Sequence, residues 1–386
     1  MTHQPRVSKR SGVDAFLVMD MLRSANQLEC AGKDIVHMAA GQPGTGAPQS
    51  VIDAAKSALD SEKLGYTESL GLPVLRERIA AYYQEKYGVS ISPERVVVST
   101  GSSGSFILAF LAAFEAGDKV ALPTPGYPAY RNILNALGVT TPAIHTSAAN
   151  RWVPSLNDIE QLNDESPLQG LLLASPNNPT GTMIKPDALK AVVEKCHRLG
   201  LWFISDEIYH GLNYEMEAAT ALQFSDEAIV INSFSKYFCM TGWRIGWMVV
   251  PERLVRPLEK LSQSLFISAP TLSQIAAVAA FDATEELEQH KAVYATNREL
   301  LQQELPLIGL DEFLPVDGAF YLYADVHKFT NDSYAFAQKM LEEIGVSVTP
   351  GADFDHARGA RFIRLSFAGS TQSIEQAIDR LGGWLK

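Results

Sequence analysis

Short apolar runs that alternate with amphipathic stretches fill the middle of the sequence, and they restrict its fold more than any other feature. The runs "RVVVST", "DKVALP", "GLLLAS", "LWFIS" and "AIVINS" have the length and composition of buried strands. Between them, "SGSFILAFLAAF", "AYRNILNALG" and "PDALKAVVEKCHRLG" carry apolar residues at helical spacing. Continuously apolar strands that alternate with helices are typical of a parallel sheet covered on both faces. We therefore predict an α/β fold with a large, mostly parallel sheet sandwiched by helices.

The pattern changes near residue 252, where helical spacing becomes dominant. The stretches "PERLVRPLEKLSQSL", "TLSQIAAVAAFDA" and "ATEELEQHKAVYATNRELLQQEL" predict helices, and the last is long and mixed in charge, as in a helix that bridges two lobes. The tail then predicts strands at "AFYLYADV", "GVSVTP" and "ARFIRLSFA". We expect a large domain over residues 46–285 and a smaller α+β domain formed by residues 1–45 and 286–386.

Composition limits the class of protein further. The 386 residues carry a formal net charge of -12, which disfavours nucleic acid and anionic membranes as partners. The widely spaced Cys30, Cys196 and Cys239 disfavour a disulfide framework or a zinc site and fit a reducing compartment. The eight histidines lack metal-ligand spacing, and neither a signal peptide nor a membrane-spanning run is visible. We expect a soluble, cytoplasmic protein without a metal.

Polar clusters follow four of the predicted strands, where ligands bind in open parallel sheets. The first, "STGSSGSF", places Gly101, Ser102 and Ser103 at the start of a helix, whose free N–H groups suit a phosphate. A capped helix after a tight turn explains the same motif without a ligand. The second, "SPNNPTGT", holds Asn178 at a strand end, although an ordinary Asx-Pro turn has the same composition.

The other two clusters contain ionisable groups. The stretch "SDEIYHG" places Asp206 and Tyr209 about one turn apart after an apolar strand; a buried aspartate there needs a partner, whereas a surface aspartate that caps a turn does not. The stretch "SFSKYFCMTGWRIGW" surrounds Lys236 with aromatic residues and serines and contains no acidic residue. A desolvated lysine can attack a carbonyl, and Arg244 can hold a phosphate. The alternative is a loop lysine whose stem packs on aromatic rings.

Together the four clusters fit one cofactor, pyridoxal 5'-phosphate (PLP). Its aldehyde requires a lysine amine, and its phosphate requires a helix terminus, hydroxyls and an arginine. Its ring nitrogen requires an acid, because the proton held there makes the ring an electron sink. Its ring oxygen requires neutral donors, which Asn178 and Tyr209 supply. A flat ring also favours an aromatic cover, for which Tyr127 in "PTPGYPAY" is the candidate.

The motifs "NNPTGT", "SDEIY", "SFSKYFCMTGWRIGW" and "FIRLSFA", in this order, closely resemble those of the class I/II aminotransferases, the fold-type I PLP enzymes. The spacings match as well, with 28 residues from Asn178 to Asp206 and 30 from Asp206 to Lys236. The resemblance extends from "AAGQPG" to "FIRLSFA", which is nearly the whole chain. It implies the fold of these enzymes, with a large PLP-binding domain, a small domain and a homodimer.

The resemblance also implies a role for each matching residue. Lys236 corresponds to the lysine that forms the imine with the cofactor and then moves the proton, and Asp206 to the partner of the ring nitrogen. Asn178 and Tyr209 correspond to the ring-oxygen donors, and Tyr127 to the stacking aromatic. The implied phosphate site consists of Gly101, Ser102, Ser103, Ser233, Ser235 and Arg244. The implied contacts to the substrate carboxylate are Gly41, Asn178 and Arg364.

The function implied is amino transfer between an L-amino acid and a 2-oxo acid. A neutral or apolar substrate side chain is expected, because Ser264 stands where dicarboxylate-specific relatives have an arginine. Tyr66 corresponds to a tyrosine that reaches the phosphate of the neighbouring subunit, which predicts shared sites. Two alternatives remain open at this point. One is a PLP-dependent lyase that acts at Cβ, such as a C–S lyase, and the other is a regulatory module that binds PLP without turnover.

Overall fold

The computed structural model describes residues 5–386, which form two lobes of α-helices and β-strands. The strands are β1 (Val36–His37), β2 (Val96–Ser99), β3 (Val120–Thr124), β4 (Ala143–His145), β5 (Gly170–Ala174), β6 (Trp202–Asp206), β7 (Ile229–Ser233), β8 (Gly246–Val249), β9 (Tyr321–Asp325), β10 (Val346–Ser347), β11 (Thr349–Pro350) and β12 (Phe362–Ser366). The helices are α1 (Leu17–Cys30), α2 (Gln49–Ser61), α3 (Pro73–Tyr87), α4 (Gly101–Ala113), α5 (Pro128–Leu137), α6 (Leu156–Glu165), α7 (Pro186–Arg198), α8 (Glu252–Leu265), α9 (Thr271–Ala280), α10 (Thr284–Glu304), α11 (Ser333–Ile344) and α12 (Thr371–Trp384).

The central sheet has seven strands in the order β2-β8-β7-β6-β5-β3-β4. Strand β8 pairs antiparallel with β2 and β7, whereas the pairings among β3, β4, β5, β6 and β7 are parallel. Helices cover both faces: in β2, Val96 and Val98 pack into one apolar cluster and Val97 into another. The mostly parallel, helix-covered sheet predicted from the sequence is confirmed.

Turn residues set the ends of several helices. Pro128 occupies the first position of α5, where its missing N–H costs nothing. Gly138 follows the helix with a φ of +86°, in the left-handed region that glycine adopts without strain. Helix α5 therefore ends at Leu137, before β4 begins at Ala143, and Tyr127 directly precedes its first residue.

The smaller lobe combines the N-terminal segment with about the last quarter of the chain. Strands β11, β12 and β9 form an antiparallel sheet, and β1 pairs in parallel with β10 through Val36 and Val346. One apolar cluster contains Met21 and Val36 together with Leu301 and Leu381. The domain limits at residues 45/46 and 285/286 remain a prediction, and residues 1–4 lie outside the described part of the chain.

The three cysteines are free, with Cys30 exposed and Cys196 and Cys239 buried. Within residues 5–386, no helix combines the length and the apolar character that crossing a membrane requires. The compartment in which the protein works therefore stays a prediction.

Candidate active site

A cavity of about 280 Å³ lies at the carboxyl ends of the parallel strands, between the two lobes. It brings together most of the residues singled out in the sequence. Those that line it are Gly41, Ser102, Ser103, Tyr127, Asn178, Asp206, Tyr209, Ser235, Lys236, Arg244 and Arg364. Gly101, Ser233 and Tyr66 are not part of the lining.

One end of the cavity has the properties of an anion site. Helix α4 begins there, and the first N–H groups of a helix have no partner within the helix. Gly101 starts the helix with a φ of +75°, and a Cβ at this position would lie 2.6 Å from a terminal nitrogen of Arg244. Only glycine lets the helix start and the guanidinium approach so closely. Arg244 donates one hydrogen bond to the carbonyl of Thr241, at 2.9 Å, and also lines the cavity.

The two serines before Lys236 occupy different positions. Ser235 lines the cavity, whereas Ser233 is buried behind it. The hydroxyl of Ser233 lies 2.9 Å from that of Ser235 and 3.1 Å from the carbonyl oxygen of Ile245. In this structure Ser233 therefore supports Ser235 and does not itself face the cavity.

Lys236 lies in the turn after β7 with its amine in the cavity. Its Nζ donates to the carbonyl oxygen of Gly41 at 2.5 Å and lies 5.7 Å from the centre of the Tyr209 ring. Burial lowers the pKa of Lys236 to about 8, and the nearby Arg364 lowers it further, against the opposing effect of Asp206. A lysine with this pKa is partly neutral near pH 8 and can act as a nucleophile.

Asp206 ends β6, is buried and lines the cavity. The hydroxyl of Tyr130 donates to one carboxylate oxygen, and the N–H of Ile208 donates to the other at 3.1 Å. Burial raises the pKa of Asp206 to about 6, although both hydrogen bonds and the amine of Lys236 act to lower it. A protonated ring nitrogen placed beside this carboxylate would supply the cation that its ionised form lacks.

Neutral donors and the arginine near the C-terminus also line the cavity. The hydroxyls of Tyr209 and Tyr321 lie 2.9 Å apart, and burial raises the pKa of Tyr209 well above its usual value. Arg364 donates to the side-chain oxygen of Asn178 at 2.7 Å, which leaves the amide N–H groups of Asn178 as donors. Arg364 also donates to the carbonyl of Ala39 at 2.7 Å and lies 4.2 Å from the centre of the Tyr321 ring.

The start of α1 forms an apolar side of the cavity that the sequence did not reveal. Phe16, Val18 and Met19 line it. The carboxylate of Asp353 accepts hydrogen bonds from the N–H groups of Leu17 and Val18, at 3.0 and 3.2 Å. These bonds fix the start of α1 against the small lobe. No motif marks these residues, because their position depends on a contact more than 330 residues along the chain.

Two tyrosines of the site were also missed. Tyr130 follows Tyr127 by one helical turn, which was the signal available for it. Tyr321 is a buried strand residue, and the sequence around it contains no motif that marks it as part of a site. Its hydroxyl would lie 2.6 Å from a Cβ at position 41, so only glycine fits opposite it.

Tyr66 lies away from this cavity and is 84% exposed. A larger cavity of about 460 Å³ lies near Trp152 and Tyr323, but none of the predicted site residues lines it. Beside it, Glu312, Asp325 and His327 bring potential metal ligands within 4.8 Å of one another. Their carboxylates already pair with Lys328 and Arg361, and we assign no metal to them.

The chain matches a known family and known relatives over nearly its whole length. Residues 33–381 match the family model described as aminotransferase class I and II. The chain is 49% identical over 384 residues to a valine–pyruvate aminotransferase from Mycobacterium tuberculosis, with 98% of each chain covered. It is 30% identical over 383 residues to an aspartate aminotransferase from Thermotoga maritima, with 98% of this chain and 99% of the relative covered.

A solved structure shows the same fold. The crystal structure of an aminotransferase from Mycobacterium tuberculosis superimposes with a TM-score of 0.97 at 48% identity, and 99% of each chain is covered. These matches favour an enzyme over a module that binds PLP without turnover, and amino transfer over a lyase. The chain belongs to the class I and II aminotransferase family and is a PLP-dependent enzyme of fold type I.

Proposed function

We propose that this aminotransferase moves the amino group between an L-amino acid with a neutral, apolar side chain and a 2-oxo acid such as pyruvate. The observation that carries the substrate class is the charge of the cavity. Among residues 5–386, the cations that line it are Lys236, Arg244 and Arg364. In this proposal Lys236 and Arg244 pair with the cofactor and Arg364 with the substrate α-carboxylate, so within one subunit a second substrate carboxylate would be buried without a cation.

The relatives support this proposal without deciding it. The valine–pyruvate aminotransferase is 49% identical, whereas the aspartate aminotransferase is 30% identical. The apolar side chains of Phe16, Val18 and Met19 suit an aliphatic substrate. Ser264, at the end of α8, is exposed and donates to the carbonyl of Lys260, which is consistent with a position that binds no distal carboxylate.

The residues of the chain divide the work of such a reaction. PLP, when bound, supplies the electron sink. The amine of Lys236 would hold PLP through its aldehyde, and it would move a proton at the substrate Cα, as base and then as acid. Ionised Asp206 would keep the ring nitrogen protonated, and the forked guanidinium of Arg364 would hold the substrate carboxylate.

Steady-state kinetics with a panel of amino acids test the substrate class. We expect kcat/KM values for valine, alanine and other apolar amino acids to exceed those for aspartate and glutamate. A value for either dicarboxylate far above those for alanine and phenylalanine would contradict the proposal. A single turnover also separates amino transfer from the lyase reaction. A transaminase leaves the cofactor in its amine form, whereas a lyase returns it to the lysine and releases ammonia.

We further propose a homodimer with shared sites. Tyr66 is 84% exposed, and Ile267, which is 48% exposed, has an unusual φ of +65°. Their segments lie together, because Ser69 donates to the carbonyl of Ile267 at 2.7 Å and Thr271 to that of Gly65 at 2.6 Å. An exposed tyrosine beside exposed apolar residues suits a surface that a second copy covers.

Mixing two inactive variants tests the sharing of sites. One carries Lys236→Ala and the other a Tyr66 substitution that abolishes activity. In a mixed dimer, one site contains both lesions, while the other combines an intact Lys236 with an intact Tyr66 from the partner subunit. Activity should therefore return on subunit exchange. Mixed dimers that form and stay inactive would show that Tyr66 acts within its own chain.

A cytoplasmic location is also part of the proposal. Its support is the set of three free cysteines, which suits a reducing compartment. Localisation of the tagged protein in its own cell would test it, and recovery from an oxidising compartment would contradict it.

A further inference from the structure

Two buried ionisable residues beside the active site have no part in the chemistry described so far. Glu207 and His210 belong to the same turn as Asp206 and Tyr209, but they do not line the cavity. They are only 1% and 3% exposed. Burying ionisable groups is costly, so their contacts indicate what they do there.

The contacts of His210 fix its protonation. One ring nitrogen, Nε2, lies 3.1 Å from the carbonyl oxygen of Ser175, which can only accept a hydrogen bond. Nε2 therefore carries the proton, and Nδ1 accepts the hydroxyl of Tyr87 at 2.8 Å. Burial lowers the pKa of His210 to about 3, so the ring stays neutral through the physiological range.

Glu207 packs beside the imidazole of His210, which stays neutral. One carboxyl oxygen accepts from Ser205, Thr220 and the N–H of Ala221, at 3.0, 3.1 and 2.9 Å. The other lies 3.5 Å from Nδ1 of His210. Burial raises the pKa of Glu207 to about 8, which favours a protonated, neutral carboxyl at neutral pH. Glu207 and His210 are therefore both neutral, and both are hydrogen-bonded to neighbouring groups. They can hold the orientation of this turn without adding charge next to Asp206.

The bond to Ser175 joins two loops that face the cofactor site. Ser175 directly follows β5 and stands three residues before Asn178, while His210 directly follows Tyr209. A further link, from the N–H of Ser175 to the carbonyl of Asp206 at 3.2 Å, connects the same two chain segments at the strand ends. The imidazole is the side-chain link between the loop of Asn178 and the turn of Tyr209.

We propose that His210 is a positioning residue: its Nε2–H bond to Ser175 sets the spacing of Asn178 and Tyr209, the two donors to the ring oxygen of the cofactor. This inference rests on the proposed cofactor role of those two residues. Hydrogen bonds to an anionic oxygen favour the deprotonated form of the group that carries it and lower its pKa. Displaced donors would therefore raise the pH midpoint at which the visible absorbance of the bound cofactor changes.

Two substitutions of His210 test the contributions of its two ring nitrogens separately. In His210→Gln, the amide nitrogen can reach the position of Nε2 and still donate to Ser175. In His210→Asn, the shorter side chain can replace Nδ1 only, and the bond to Ser175 is lost. Tyr87→Phe is the matched control, because it removes the contact at Nδ1 and leaves the bond to Ser175 intact.

The measurement is a pH titration of the cofactor absorbance, followed by steady-state kinetics. We expect His210→Asn to raise the midpoint by about half a pH unit or more and to lower kcat roughly tenfold, since small misplacements at an active site are costly. His210→Gln and Tyr87→Phe should keep the midpoint of the unsubstituted enzyme, even where their melting temperatures fall.

Three results would overturn the inference. A folded His210→Asn enzyme with an unchanged midpoint would show that the imidazole only stabilises the fold. A shift of equal size in Tyr87→Phe would assign the effect to packing. A shifted midpoint in His210→Gln would also assign the effect to packing. If His210→Asn does not fold, the midpoint of His210→Gln is the deciding measurement. If the unsubstituted enzyme forms no reducible bond at Lys236, the cofactor assignment fails first and this inference with it.

Discussion

The two sides of the active-site cavity are built differently. The proposed cofactor side consists of Asp206 at the end of β6, Lys236 after β7, Arg244 just before β8, and the start of α4 after β2. The proposed substrate side consists of Phe16, Val18 and Met19 together with Gly41, Tyr321 and Arg364, which come from the two ends of the chain. Main-chain contacts join these ends, including the bond from the N–H of Ser366 to the carbonyl of Met38 at 2.7 Å.

We infer from this difference that the cofactor side determines the chemistry and the substrate side determines which substrate is bound. The cofactor side uses charged and polar groups whose types are dictated by one fixed cofactor, so short motifs reveal it. The substrate side is largely apolar, and its shape depends on how the N-terminal segment docks on the small lobe. Changes on the cofactor side should therefore abolish turnover, whereas changes on the substrate side should alter affinity. Four substitutions test this division.

The largest effect is expected for Lys236→Ala. The variant should lose the reducible covalent bond to the cofactor and lose amino transfer by roughly 10,000-fold or more, because both the nucleophile and the proton carrier are gone. Borohydride reduction and peptide mapping check the bond. Reduced cofactor found on another lysine would contradict the assignment.

Asp206→Asn should spare folding and slow turnover by about a thousandfold, roughly 4 kcal/mol of barrier, because a neutral amide stabilises the protonated ring nitrogen poorly. The measurement is kcat with a saturating amino acid. Glu207→Gln is the matched control: it changes the adjacent buried carboxyl, whose pKa burial raises to about 8 so that the neutral form is favoured at pH 7, and it should cost only a few-fold. Near-normal activity of a folded Asp206→Asn enzyme would remove Asp206 from this role.

Arg364→Lys tests the substrate side. A lysine keeps the charge but cannot make the forked contact to a carboxylate, so KM for the amino acid should rise by roughly a hundredfold. The absorbance of the bound cofactor should stay nearly unchanged. If the variant loses the cofactor instead, the two sides of the cavity are not separable in this way.

Tyr130→Phe should have the smallest effect, about tenfold in kcat/KM near pH 6. The hydroxyl of Tyr130 lowers the pKa of Asp206, so its removal raises that pKa, and the acid limb of the pH profile should move to higher pH. Tyr323→Phe is the control, because its buried hydroxyl has no hydrogen-bond partner in the described residues 5–386. Equal shifts in both variants would point to a general effect of losing a buried phenol.

The sequence predicted the parallel core because buried strands such as β5, β6 and β7 are continuously apolar and separated by periodic helices. It did not predict β8, because the first two residues of this strand, Gly246 and Trp247, also end the lysine motif. The proposed cofactor residues were predicted because each lies in a short local motif near a strand. Phe16, Met19 and Tyr321 were not, because only the docking of distant segments brings them to the cavity.

During synthesis, the two ends of the chain meet late. Val36 of β1 pairs with Val346 of β10, so β1 has no strand partner until another 310 residues have been added. At the ribosomal rate of 5–20 residues per second, this takes about 15–60 s. The sheet that carries Asp206 and Lys236 is complete by residue 249 and can form before then. The residues of the central sheet are therefore synthesised before Tyr321 and Arg364, and β1 remains without its strand partner for most of translation.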